Sequence, residues 1–284
     1  KFEYSEFDTF KQFWFAVNTR CISINSDTNK ICLAPLFDCL NHDISSPNTK
    51  FEFNSKSGLT VYNHSKKSIL KNEQVFISYG AHDNYFLLLE YGFIVSGKIN
   101  KFNVVYLDEE FNETCLLKFK NFFKFNEKLC LTKFKQFLEI LNLSGLKGDM
   151  VIHHNNGDSN TVKNLEIPFR TENSILLLLI FLNDDEKEFH SNLNLWKAAL
   201  KGISLKPKNL ISLNERFKRE IQIIFFEILK NLKNEYNLNL ANLRNNIQNF
   251  SDNDKYSLFC VETVLVQSLD IIDSFFFFEK KIMI

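Results

Sequence analysis

The sequence predicts an α+β fold in which a region of short strands is followed by a helical half. Three observations lead there. Segments rich in β-branched and aromatic residues at 51–53, 59–62, 75–78 and 102–107 lie between clusters of Asn, Ser, Lys and Gly, the texture of short strands joined by turns. Beyond about Leu116 the apolar residues recur instead at three- and four-residue steps. A length of 284 residues suffices for about two domains with sizeable cores. With the last strand segment ending at Leu107, the chain is expected to divide into 1–107 and 108–284.

The elements follow in order. Phe7, Phe10, Trp14, Val17 and Cys21 keep the spacing of one buried helix face. After the first three strand segments, Asp83 is placed to cap a short helix running through 87–91, and Gly92 can end it. In the second half Phe134, Phe137, Leu138 and Leu141 share a helical face. Phe217, Ile221, Ile224, Phe225, Ile228 and Leu232 share another, and Val261, Val264, Leu265, Leu269 and Ile272 a third. The most apolar run, 175–182, is far shorter than the ~20 residues that span a bilayer, so no membrane span is expected. The four phenylalanines at 275–278 fit either a docked terminal helix, the commoner case, or an apolar surface patch.

Composition narrows the function classes. The chain carries 34 basic and 34 acidic side chains, a formal net charge of +0, which removes the global electrostatic case for a nucleic-acid or anionic-membrane partner. The 31 Phe stand in an Asn- and Lys-rich background and need no functional cause. Six cysteines without a CxxC pair read as reduced thiols of an intracellular, cytoplasmic or nuclear protein. A metal site drawn from Cys32, Cys39 and His42 matches no zinc spacing, and Asp38 with His42, four apart, is an incomplete ligand pair. His153, His154 and Asp158 fall in an Asn/Gly-rich stretch that reads as a solvated loop, so no metal is expected. The chain begins at Lys1 without an initiator Met and inside a patterned segment, as a fragment would, and no signal-like arrangement of charged, apolar and small-residue regions opens the sequence.

No Gly-rich phosphate loop, GxSxG elbow or HExxH pair is present. The informative segments are WFAVNTR at 14–20, LAPLFDCLNH at 33–42, EQVFISYG at 73–80, and Asn84 with LLLEYGF at 87–93. Taken singly, none is decisive. Arg20 is ordinarily a solvated helix-end cation, Asn41 and His42 the start of a surface loop, and Tyr79 an amphipathic side chain with a wet hydroxyl.

In this order and spacing, the four segments resemble the second half of a SET domain, in the branch typified by the plant Rubisco large-subunit lysine methyltransferase. The region after Phe102 is similar, by helix pattern and order more than by motifs, to the all-helical substrate-binding domain of that branch. The resemblance implies the C-terminal part of a SET domain, with short strands and a pseudoknot where the Asn41-His42 segment threads under a neighbour, then an all-α substrate-binding domain. It implies S-adenosylmethionine as cofactor, faced by Arg20, Asn41, His42 and Tyr79, with Tyr79 the catalytic tyrosine. It places Ile22, Tyr91 and Phe93 on the substrate side. The family's Gly-containing first cofactor-binding turn would lie upstream of Lys1, so this chain is expected to hold only part of the pocket.

The residue types suit that chemistry. A sulfonium cofactor already carries an activated methyl, so the protein has to align an acceptor nitrogen and exclude water. An aromatic channel also lowers an ammonium pKa by desolvation. The expected function is therefore methylation of a lysine on a protein substrate by a monomeric enzyme without direct nucleic-acid or membrane contact. A histidine acceptor is one alternative; a non-catalytic protein-interaction module with a truncated SET domain is the other.

Overall fold

A computed structural model of the protein describes residues 6–24, 27–44, 47–96, 100–124, 126–153, 166–184, 186–200 and 207–282. The chain divides into two compact units, Lys1–Asn103 with Asp254–Val261, and Val104–Asn253 with Glu262–Ile284.

In the first unit, α1 (Glu6–Arg20) runs directly into β1 (Cys21–Ile24), which pairs antiparallel with β2 (Asp27–Leu33), Cys21 opposite Leu33 and Ile22 opposite Cys32. A 3-10 turn over Phe37–Cys39 leads into β3 (Asn41–His42). β4 (Thr49–Asn54) and β5 (Gly58–Asn63) form a hairpin whose register runs from Thr49 opposite Asn63 to Asn54 opposite Gly58. The turn closes on Gly58 at φ 77, a left-handed conformation that glycine adopts without a Cβ penalty. β6 (Phe76–Ile77) then pairs parallel with β3, Asn41 opposite Phe76 and His42 opposite Ile77. So short a ladder has few bonds of its own, and side chains reinforce it. Asn48 Oδ1 accepts from the Phe76 N–H at 2.7 Å, and Thr49 Oγ1 donates to the Phe76 carbonyl at 2.8 Å.

The unit closes on α2 (Asn84–Tyr91). Asp83 caps it by accepting from the Phe86 N–H at 2.9 Å, and Gly92 at φ 75 stops it, as the residue types demand. Around the helix start lies a buried amide knot of Asn84, Asn100 and Asn103. Asn84 brackets Val95, accepting from its N–H at 3.0 Å and donating to its carbonyl at 3.1 Å. Asn100 donates to Asn84 Oδ1 at 3.2 Å, and the Asn84 N–H donates to Asn103 Oδ1 at 2.9 Å. The segment after Gly92 is thereby bound to the start of α2.

In the second unit, β7 (Val104–Tyr106) precedes α3 (Asp108–Phe122) and α4 (Glu127–Leu143), and β8 (Val151–His153) pairs antiparallel with β7. The helices α5 (Phe169–Asn183), α6 (Glu186–Leu200) and α7 (Pro207–Asn246) follow, and α8 (Lys255–Ile282) belongs to this unit from Glu262 onward. The apolar run 175–182 is buried throughout and makes α5 the centre of the core. Against it stand Phe111 and Phe119 of α3, Phe137 of α4, Trp196 of α6 and Phe217, Phe225 and Ile228 of α7. The Trp196 indole N–H is satisfied by the Asn173 carbonyl at 3.3 Å.

The strands expected at 51–53, 59–62, 75–78 and 102–107 and the Asp83-capped helix are all present; β4, β5 and α2 run longer than expected, and β6 and β7 shorter. The faces on α4 and α7 are turned to the core as their spacing requires. Other expectations need correction. α1 forms, but it has no buried residue, and Phe7, Phe10 and Trp14 are 65%, 56% and 56% exposed, while Cys21 opens β1. Periodicity decides which side chains share a face, not whether anything covers it. On α8, Val261 is exposed and Val264, Leu265 and Leu269 are half-buried, whereas Leu258, Cys260, Ile271, Ile272 and Phe275 are buried. Within the phenylalanine run Phe276 also packs on the core, Phe277 is exposed, and the Phe278 side chain lies outside the described ones. The β1–β2 hairpin and β8 were not anticipated by pattern, and helix begins at Asp108 rather than near Leu116. His153 ends β8, exposed, while His154 and Asp158 lie outside the described residues. No helix among the described residues is long and apolar enough to cross a membrane.

Candidate functional site

Tyr79 stands just beyond β6 and is held at three atoms. Its backbone N–H donates to His42 Nδ1 at 3.0 Å, and its carbonyl meets His82 Nε2 at 3.1 Å. Its hydroxyl donates to the Leu40 carbonyl at 2.7 Å. The parallel pairing of β3 with β6 brings the His42 and Tyr79 rings to 5.1 Å between centroids. Tyr91, the last residue of α2, lies 5.1 Å from Tyr79 on another side. Phe93, one residue past the Gly92 stop, meets Tyr79 edge-on at 6.2 Å and His42 at 6.0 Å. Gly92 thus lets the chain present two aromatic side chains, Tyr91 and Phe93, to the same tyrosine.

Two cavities meet at this cluster. The larger, of about 650 Å³, is walled by Ile22, Ile24, Phe51, Phe53 and His82, and the smaller, of about 570 Å³, by Cys39, Asn41, His42 and Phe93. Thr19, Arg20, Asp38, Tyr79 and Tyr91 line both. Charge enters through Arg20, whose guanidinium meets the Asp38 carboxylate at 3.4 Å and the Asp38 carbonyl at 3.2 Å. Glu52 adds a second carboxylate to the larger cavity. Asn41 donates to Gln74 Oε1 at 2.8 Å, which fixes its amide at the rim of the smaller one.

The protonation states follow from the surroundings. Burial pushes the Tyr79 phenol above its ordinary value, with Tyr91 adding to the rise and Arg20 opposing it. Tyr91 is raised by burial and by Glu90. Both hydroxyls are therefore neutral at physiological pH. Burial lowers the His42 imidazole, against the Ile77 carbonyl and Asp43, which favour its cation. A neutral His42 that accepts at Nδ1 carries its proton on Nε2, which is buried and has no hydrogen-bond partner among the described residues.

Every residue expected at the site from sequence, Arg20, Ile22, Asn41, His42, Tyr79, Tyr91 and Phe93, lines one or both cavities. Two single-residue readings change. The Tyr79 hydroxyl is bonded to a backbone carbonyl rather than wet. Asp38 sits in a 3-10 turn and pairs with Arg20, while His42 sits in a strand, so the two are not ligands on one helix face. No group of three His, Cys, Asp or Glu that could hold a metal occurs among the described residues. Sequence reasoning missed His82, Asp38 as the partner of Arg20, and Leu40. The first carried one usable signal, its position between Gly80 and the Asp83 cap.

A guanidinium, a primary amide and aromatic walls suit a ligand of moderate size with a carboxylate, hydrogen-bonding groups and a cationic centre.

No protein-family model matches the chain. Part of it is similar to curated proteins. The ribosomal lysine N-methyltransferase set11 of Schizosaccharomyces pombe is 36% identical over 97 residues, 32% of this chain and 24% of that protein. Ribosomal lysine N-methyltransferase 2 of Saccharomyces cerevisiae is 32% identical over 127 residues, 38% of this chain and 26% of that protein. SET domain-containing protein 4 of Mus musculus is 41% identical over 93 residues, 28% of this chain and 20% of that protein. The chain spans about a quarter of the length of the curated relatives it matches. It thus has distant, partial homology to SET-domain lysine methyltransferases.

Proposed function

We propose that this chain belongs to an S-adenosylmethionine-dependent methyltransferase that modifies a lysine side chain of a protein. The observation that carries the reading is Tyr79 standing where two cavities meet, ringed by His42, Tyr91 and Phe93, in a chain homologous to lysine methyltransferases. When bound, the cofactor supplies an activated sulfonium methyl.

The chain's own residues do the rest. Arg20, Asn41 and His42 hold the cofactor beside the smaller cavity, with Arg20 shared between its Asp38 partner and a ligand carboxylate. The larger cavity takes the acceptor side chain past Ile22, with Tyr91 and Phe93 walling the junction. With Asp38 paired to Arg20, Glu52 favours entry of a cationic side chain there, and the aromatic rings then desolvate the ammonium and ease loss of its proton. Tyr79 remains protonated and donates its hydroxyl hydrogen bond to the Leu40 carbonyl. Its oxygen keeps lone pairs to orient the transferring group through weak CH···O contacts.

In this reading 1–107 is the later part of the catalytic domain and 108–284 binds the protein substrate. The ribosomal lysine methyltransferases among its relatives make a ribosomal protein the first substrate to try. The test is transfer of a labelled methyl group to a protein mixture by the full-length protein, comparing wild type with Tyr79→Phe and Asn41→Ala. Strong incorporation by wild type and little by the variants is expected. Equal incorporation by all three overturns the assignment, and mass spectrometry of the product decides between lysine and histidine.

A further inference from the structure

We propose that His82 is a positioning residue for Tyr79. Its catalytic consequence rests on the methyltransferase reading, but its structural one does not. Tyr79 is bracketed along its main chain by two imidazoles, His42 at its N–H and His82 at its carbonyl. A carbonyl oxygen only accepts, so His82 Nε2 must carry the proton, and the 3.1 Å contact fixes the tautomer.

The approach of that ring depends on Gly80. A Cβ there would lie 2.6 Å from His82 Nε2 and 3.1 Å from Cδ2, and the residue holds φ +131. Glycine leaves the space through which the imidazole reaches back over the chain. It also leaves the peptide after Tyr79 free to rotate, which is the freedom a bond to the Tyr79 carbonyl removes.

His82 is itself held firmly enough to serve as an anchor. Its ring stacks on Phe86 at 4.3 Å and 15°. Phe86 lies in the first turn of α2, where its N–H is bound by the Asp83 cap. The His82 carbonyl accepts from Asn100 Nδ2 at 3.0 Å, and Asn100 is fully buried. A continuous set of bonds therefore runs from the amide knot and the start of α2, through His82, to the main chain of Tyr79. The same ring walls the larger cavity 6.5 Å from Tyr91. Losing the anchor would let Tyr79 turn relative to Tyr91 and change the gap between them.

The test uses the full-length protein with fluorotyrosine at position 79, read by fluorine NMR without cofactor, and steady-state kinetics on the unlabelled variants. His82→Ala removes ring and donor. His82→Phe keeps the stack and removes the donor, so it carries the comparison should the alanine variant not fold. His82→Gln restores an N–H donor. The Ala and Phe variants are expected to shift or broaden the fluorine resonance and to lower kcat on the order of 10- to 100-fold, the usual cost of small misplacement, with cofactor KM within about twofold. Gln is expected to recover both. Gly80→Ala should do less harm in His82→Ala than in wild type, since its clash is with the ring. An unchanged resonance and kcat in His82→Phe, or a Gln variant no better than Phe, overturns the proposal. A wild-type protein that transfers no methyl overturns the methyltransferase reading instead, and the fluorine resonance alone then decides the role of His82.

Discussion

The backbone N–H of Tyr79 donates to Nδ1 of His42 at 3.0 Å, joining residues 37 positions apart across the bridge between β3 and β6. An imidazolium has no lone pair at Nδ1, so this bond exists only with neutral His42. Burial holds the His42 pKa in the fold below the unfolded value of 6.5. On acidification the unfolded chain takes up the proton first. The contribution to stability is therefore complete above about pH 6.5 and is lost as pH falls through the lower, folded value. Melting temperature followed into the weakly acidic range should fall accordingly. His42→Asn, which keeps an acceptor but does not titrate, should flatten that limb, and an unaltered acid limb would contradict the assignment.

Tyr79→Phe removes one hydroxyl from the junction of the cavities and leaves the Leu40 carbonyl without its donor. The loss in unfolding free energy should be modest, about 1 kcal/mol. Under the proposed function the loss in methyl-transfer rate should be larger, roughly 10²-fold, because the group would act where charge is redistributed. Initial rates and denaturation midpoints measured on the same preparation separate the two, and a variant that loses stability while keeping its rate would reduce Tyr79 to a structural residue.

The amide knot offers a second stability test. Asn84→Ala strands both the N–H and the carbonyl of Val95. Each orphaned group costs about 1–3 kcal/mol if it stays buried. Urea denaturation should therefore show a loss of about 2 kcal/mol or more. Because the same residue ties down the segment carrying Phe93, the proposed function predicts that affinity for S-adenosylmethionine falls with it, as calorimetric titration would reveal.

Aromatic residues of equal size should divide sharply by place. Phe119 and Phe137 are fully buried in the helical unit, and truncating either to Ala should cost about 3–5 kcal/mol. Phe13 on α1 is 69% exposed. Phe13→Ser should change thermal stability by no more than about 0.5 kcal/mol and should lower self-association by light scattering. A large loss at Phe13 would mean that α1 is packed in solution.

What could be read from sequence tracks the range over which each feature is determined. The capping of α2 by Asp83 and its stop at Gly92 depend on neighbours three or four residues away, and both were legible. The α7 face was legible because six spaced residues all meet one core. His42 and Tyr79 are distant in the chain, and no periodicity links them; only the family resemblance suggested that they belong together. His82 was missed because a single histidine has no spacing, and its role arises from the left-handed backbone of Gly80 and the hold of Asn100. The exposed face of α1 shows the converse, a regular pattern for which no described element supplies the cover.

The two-residue bridge between β3 and β6 also sets where this chain can change length. The excursion between them carries the β4–β5 hairpin, whose tip turns from Asn54 to Gly58 on a bond from the Lys56 N–H to Asn54 Oδ1 at 2.8 Å. Loop-closure entropy rises only about 0.6 kcal/mol for each doubling of a flexible loop, so residues inserted at that tip would leave the pairing of His42 with Ile77 intact. A single residue inserted between Ile77 and Tyr79 would instead carry the tyrosine ring to the opposite face, since side chains alternate along an extended segment. The hairpin tip is thus the part of this unit open to variation by insertion, and the few residues after β6 are the part closed to it.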